Sequence, residues 1–179
     1  MLDSNLCIAI LGGTGKEGKG LAYRWARAGY TVIIGSRQLE KAQSAVTELM
    51  EIKNGQNFSV EAMENLSAAQ KADIVVLTVP YAAHKDMLLF IKEAVAGKVV
   101  IDVTVPLVPP KVTRVQMPPA GSASLEAQEI LGESSRVVAA FQNISYEKLL
   151  NDEDINCDVL VCGQKEARTL VIELIQSMG

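Results

Sequence analysis

The chain has 179 residues, 49% hydrophobic and 21% charged, with 17 Lys and Arg against 21 Asp and Glu for a formal net charge of −4. That acidic balance, without a broad basic stripe, argues against nucleic acid or an anionic membrane as partner, and no apolar run approaches the roughly 18 residues a membrane span needs. The length suits a single domain, residues 1–179, able to bury about 70% of its unfolded surface, and the N-terminus enters a strand too soon for a signal peptide, an expectation of a cytoplasmic protein.

Residues 6–11 form the first predicted strand, and this apolar run feeds directly into Gly12-Gly13-Thr14-Gly15-Lys16-Glu17-Gly18. Gly-x-Gly-x-x-Gly between a strand and a helix builds an anion site. Gly13 permits the tight turn, Gly15 lets the backbone approach a pyrophosphate, and Gly18 lets helix pack closely on strand. The first N–H groups of the helix over 17–28 then face the phosphates, assisted by the positive end of its dipole. The context of strand, glycines and helix points to a dinucleotide.

The second predicted strand, 31–35, ends in Gly35-Ser36-Arg37. An NAD site usually carries Asp or Glu there to accept from the ribose 2′-hydroxyl. Here Ser36 offers a hydroxyl and Arg37 a permanently charged fork suited to a phosphate. Lys41 adds a second positive charge one helical turn on. Cations near a helix N-terminus oppose its dipole and need another reason to stand there. The reading is NADP(H) rather than NAD.

A helix over 38–53, a turn at 54–57, a strand at 58–63 and a short helix at 65–71 follow. Residues 73–79 are a strongly apolar fourth strand, 82–95 a helix and 98–102 a fifth strand. Residues 103–121 hold five of the six prolines and no period, and so read as loop. A helix at 124–131, strands at 137–140 and 158–162, and a helix at 165–178 close the chain. Apolar strands alternating with helices imply an α/β protein with a Rossmann-type, doubly wound, mostly parallel sheet covered on both faces.

In such a sheet, ligands bind beyond the carboxyl ends of the strands, where strand order reverses. The segments to inspect are therefore Thr78-Val79-Pro80-Tyr81, Val103-Thr104-Val105-Pro106-Leu107 and Phe141-Gln142-Asn143. His84, the sole histidine, lies one turn into the helix after strand four. No acid near it in sequence pairs with it, which favours hydrogen bonding at the helix N-terminus or packing beside the cofactor over general-acid catalysis. Tyr81 is open between a packing wall and a ring-stacking residue. Cys7, Cys157 and Cys162 are odd in number, lack a CxxC spacing and lie on apolar patterns; they read as buried reduced thiols, with no metal site.

Residues Gly12 to Gly20, Gly35-Ser36-Arg37 with Lys41, and Thr78-Val79-Pro80 closely resemble the NADPH-dependent coenzyme F420 reductase family, also called F420-dependent NADP oxidoreductase. Asp158 to Gly163 is similar to that family's late strand, and the similarity runs from about Leu6 to Ile175. The resemblance implies hydride exchange between NADP(H) and coenzyme F420, a deazaflavin bound face to face with it, governed by proximity and orientation with no catalytic acid or base. It implies phosphate contacts at Thr14, Gly15, Lys16, Glu17, Ser36, Arg37 and Lys41, and a nicotinamide side lined by Thr78, Val79 and Pro80 and by Thr104, Val105, Pro106 and Leu107. The family often carries histidine where this chain has Gln142. It also continues past the helix matching Leu170 to Met178 with elements that help enclose the deazaflavin and make a homodimer. An open groove beside Thr104 to Leu107, with weak F420 reduction restored by a family-like C-terminal segment, is therefore expected. Two other readings stay open: an NADPH-dependent reductase of another small substrate (imine, carbonyl or metal chelate), and a non-catalytic NADPH-binding module.

Overall fold

In a computed structural model, residues 6–52, 58–107 and 114–179 are described. The turn expected at 54–57 and part of the loop expected over 103–121 lie outside them. The first half alternates strand and helix as the apolar patterning requires: β1 (Cys7–Leu11), α1 (Lys16–Arg27), β2 (Thr31–Ser36), α2 (Leu39–Ile52), β3 (Val60–Glu64), α3 (Asn65–Lys71) and β4 (Ile74–Leu77). Then come α4 (Tyr81–Ile91) with a 3-10 extension (Lys92–Val95), β5 (Val99–Asp102), α5 (Ala123–Leu131), β6 (Arg136–Ala139), α6 (Tyr146–Leu149), β7 (Cys162–Gly163) and α7 (Lys165–Gln176).

The strands form one seven-stranded sheet in the order β3-β2-β1-β4-β5-β6-β7. All neighbours are parallel except β7 on β6. This is the doubly wound, Rossmann-type arrangement, and strand order reverses between β1 and β4. Alternate residues serve opposite faces, as strand geometry dictates. Ile8, Ile10, Val32, Ile34, Val76 and Ile101 join one core with Leu21, Trp25 and Val171. Ala9, Leu11, Ile33, Val75, Leu77 and Val100 join the other with Leu88, Ile91 and Ala127. Strands buried on both faces explain the unbroken apolar runs in the sequence.

The buried Arg24 of α1 ties the end of the chain to its beginning. Its guanidinium donates to the carbonyls of Lys148, Leu149, Asn151, Glu153 and Met178 at 2.5–3.3 Å. Trp25 beside it donates from Nε1 to the Leu174 carbonyl at 3.2 Å and meets Phe141 edge-on at 5.8 Å. Buried charge is tolerated where every donor finds an acceptor.

Two expectations need correction, and one helix was not expected. The strand read over 158–162 pairs only at Cys162–Gly163, and it does so antiparallel. Val159 and Val161 instead pack against the core from an extended segment, so their apolar pattern reflects burial without a ladder. The short α6 has no counterpart in the sequence pattern, because one helical turn carries no period to read. Cys157 and Cys162 are exposed and only Cys7 is half-buried; all three are free thiols. An edge strand and an irregular segment leave one side to solvent, which an apolar pattern alone does not reveal. Among the described residues no helix is long and apolar enough to cross a membrane.

Candidate dinucleotide and redox site

The site begins with the row of residues that ends the parallel strands. Register aligns Gly35 with Leu11, Leu11 with Leu77, Leu77 with Asp102 and Asp102 with Ala139. Beyond that row stand Ser36, Gly12, Thr78, Thr104 and Gln142, one segment per strand. From β2 to β5 is three inter-strand steps, about 14 Å at 4.8 Å each, a span suited to an extended dinucleotide.

At the switch point, Gly12 is the residue in the left-handed region, at φ 70°, and a Cβ on it would stand 2.6 Å from Val79 Cγ1. The turn thus depends on Gly12, whereas Gly13 is required because its Cβ would meet the Ile10 carbonyl at 2.7 Å. Gly18 lies against Gly13, with a would-be Cβ 2.5 Å from the Gly13 Cα, which is the close helix–strand packing expected of it. Gly15 is the N-cap of α1 in ordinary extended geometry, and a Cβ there would meet nothing within 4 Å. No side chain caps α1, so its first N–H groups remain open above that space. The residues present fit a pyrophosphate.

Neighbouring side chains brace this cradle. The Gly12 N–H donates to Asn65 Oδ1 at 3.1 Å, and Asn65 is buried. Thr78 donates from Oγ1 to the Leu11 carbonyl at 3.0 Å, so its hydroxyl holds the turn, and Val79 packs beside it while Pro80 is exposed. Lys16 lays its ammonium 4.9 Å from the centre of the Tyr146 ring. Glu17, half-buried in the first turn, has its carboxyl pushed up to about 7 by burial. Asn65 escaped the sequence reading; an asparagine opening a short helix signals only a cap.

At the β2 end, Ser36 is buried and its Oγ accepts the Gln38 N–H at 3.3 Å. Arg37 and Lys41 are exposed, and neither side chain has a hydrogen-bond or ion-pair partner among the described residues. Two unpaired cations over a helix N-terminus are the arrangement a 2′-phosphate would complete.

At the ends of β5 and β6 lies a cavity of ≈ 310 Å³ lined by Thr104, Val105, Pro106, Ser124, Gln142 and Cys162, among others. It coincides with the place expected for a groove beside Thr104 to Leu107, and among the described residues no carboxylate or imidazole lines it. His84, by contrast, is wholly buried and does not line the cavity. The expectation that no acid pairs with it is corrected: Asp102, 18 residues away in sequence, takes its Nε2 at 3.2 Å. An ionised carboxylate only accepts, so Nε2 carries the proton of that bond. Glu126 Oε2 lies 3.9 Å from His84 Nδ1, and accepts the Tyr81 hydroxyl at 3.1 Å. Burial and that carboxylate raise the Tyr81 phenol above its ordinary value. Asp102, Ser124 and Glu126 were missed by sequence reasoning, because an acid closing an apolar strand looks like a solvated end.

A glycine turn at the switch point, an open helix N-terminus, two free cations at the β2 end and a cavity three strands away define a Rossmann-type dinucleotide-binding protein. A family model described as "NADP oxidoreductase coenzyme F420-dependent" matches residues 7–106, and the chain belongs to that family. It is 42% identical over 174 residues to the F420-dependent NADP reductase of Methanocaldococcus jannaschii, covering 93% of this chain and 77% of that protein. With the F420-dependent NADP reductase of Methanothermobacter thermautotrophicus it shares 43% identity over 177 residues, covering 96% and 76%. Among solved structures, a candidate F420-dependent NADP-reductase from Arthrobacter sp. FB24 superimposes with TM-score 0.80 at 22% identity over 98% of this chain and 81% of that one, which shows the shared fold.

Proposed function

We propose that residues 1–179 act as one dinucleotide-binding domain that exchanges a hydride between NADP(H) and the deazaflavin coenzyme F420. The observation that carries this reading is the alignment, along one edge of the sheet, of a phosphate cradle at Gly12–Gly18 with a cavity at Thr104 and Gln142 that, among the described residues, no carboxylate or imidazole lines. When bound, the two coenzymes supply the hydride donor and its acceptor. The protein supplies position.

Thr14, Gly15, Lys16, Glu17 and Gly18 hold the pyrophosphate through the free N–H groups of α1, and Ser36, Arg37 and Lys41 hold the 2′-phosphate. Gly12 and Gly13, braced by Asn65 and Thr78, fix the turn. Val79 and Pro80, with Thr104, Val105 and Pro106, wall the nicotinamide side, where apolar surface excludes water from the reacting rings. His84 acts from behind that wall through Asp102. The redox partner is a small molecule, and a homodimer is the assembly proposed. Mixing the protein with F420 and NADPH should bleach the visible absorbance of the oxidised deazaflavin, with NADH far less effective. Absence of bleaching with NADPH, from protein shown calorimetrically to bind it, would refute the reading.

A further inference from the structure

We infer that Asp102 is the positioning residue of the redox cavity, with His84 as its buttress; this deepens the proposed hydride exchange and rests on it. Asp102 is wholly buried and does not line the cavity, yet three residues that do line it are hydrogen-bonded to it. The Thr104 N–H donates to Oδ1 at 3.1 Å, the Ser124 hydroxyl to Oδ2 at 2.9 Å, and Gln142 Nε2 to the Asp102 carbonyl oxygen at 2.7 Å. These donors come from three places: the segment after β5, the start of α5, and the turn after β6. From the opposite side His84, on α4, donates to Oδ1 at 3.2 Å.

Asp102 thus sets the relative positions of three cavity walls, its carboxylate holding those of Thr104 and Ser124 and its backbone carbonyl that of Gln142, and the histidine fixes the carboxylate. Buried carboxylates carry a large desolvation cost, and an apolar residue of similar shape usually packs as well. Nothing in the core requires a charge at the end of β5. What the carboxylate does here is accept from three donors at once, more than the two lone pairs of an asparagine oxygen can take. The backbone joins the arrangement at Phe141, whose left-handed φ of 72° is unusual for a buried aromatic and turns the chain so that Gln142 reaches β5. With Nε2 engaged, Gln142 is left its Oε1 as the acceptor at the cavity. The phosphates of NADP(H), by contrast, are held by groups at the ends of β1 and β2.

The test compares wild type, Asp102→Asn, His84→Gln and Ser124→Ala for kcat of F420 reduction, calorimetric NADPH affinity and melting temperature. Asp102→Asn should lower kcat by about 10²-fold, the effect of misplacing reacting groups by an ångström, with NADPH affinity unchanged. His84→Gln, which keeps a donor, should retain more activity than Asp102→Asn, and Ser124→Ala should show a smaller kcat loss with unaltered melting. A folded Asp102→Asn with wild-type kcat overturns the proposal, as does a kcat loss that only follows lost NADPH affinity or stability. Should Asp102→Asn fail to fold, Ser124→Ala decides: a kcat loss at constant affinity supports positioning, and wild-type kcat refutes it. Should wild type exchange no hydride, the functional reading falls and NMR decides this one. Faster solvent exchange of the Thr104 amide in His84→Gln than in wild type supports the hub, and an unchanged rate refutes it.

Discussion

The two ends of the proposed site are built on opposite plans. At the phosphate end, β1, the glycine turn, α1 and β2 are consecutive, and the groups facing the ligand are backbone N–H groups and two unpaired cations. At the redox end, the walls come from residues 104, 124 and 142, joined through one buried aspartate that does not line the cavity, by its carboxylate to 104 and 124 and by its backbone carbonyl to 142. The first plan recognises an anion by charge and by space left empty. The second fixes walls by internal hydrogen bonds, so its accuracy depends on residues far apart in sequence. Binding and reaction should therefore fail separately when either end is disturbed.

The sharpest way to break the comparison is at Gly15. Its backbone is ordinary and a Cβ meets nothing within 4 Å, so a side chain has room to start there and grows into the open space above α1 proposed for the pyrophosphate. Gly15→Val should weaken NADPH and NADH alike by more than about 100-fold, with a wild-type melting curve. Tight NADPH binding by the folded variant would show that the cradle is elsewhere.

A narrower effect belongs to Arg37. A charge-assisted arginine–phosphate contact contributes about 1.5–3 kcal/mol, roughly 10- to 150-fold in affinity. Arg37→Ala should therefore erase most of the preference for NADPH while sparing NADH, as calorimetry with both cofactors will read. Equal affinities in the unmutated protein would remove the 2′-phosphate from this end.

The smallest effect tests whether the phosphate end bears a cost in the free protein. Glu17 has an ordinary value of 4.5 and is raised to about 7 by burial in the fold. Between those values the folded chain holds a proton that the unfolded chain has released, so stability falls as pH rises through the window. Glu17→Gln should accordingly raise the melting temperature above pH 7, with the gain shrinking on acidification and vanishing below pH 4.5. Partial exposure and the favourable helix dipole limit it to roughly 1 kcal/mol, or about 2–4 °C. A pH-independent difference would remove Glu17 titration as its source.

The difference in plan also explains which parts of the molecule are legible in its sequence. The strand, glycines, helix and Gly35-Ser36-Arg37 are local, and their chemistry is carried by residue types that have few other reasons to stand together. The parallel, doubly wound sheet follows from apolar runs separated by helical periods. Asp102 and His84 are not legible as a pair, since only the parallel packing of β5 against β4, with α4 crossing between them, brings residues 18 apart into contact. The late segment misleads for a related reason: Val159 and Val161 face the core, and an apolar pattern records burial without saying whether a neighbouring strand is there to pair.

Arg24 has a consequence for how this molecule comes into being. It lies on the helix whose first turn faces the phosphates, yet its acceptors are the carbonyls of residues 148–153 and Met178. A growing polypeptide on the ribosome holds the glycine turn and α1 long before those carbonyls have emerged. Until they do, a guanidinium meant for burial must stay in water, and the face of α1 that carries it cannot seat fully. The nucleotide-binding half, though made first, completes its packing only when the residues up to Met178 have emerged, so nascent chains should gain NADPH affinity abruptly at that point in synthesis.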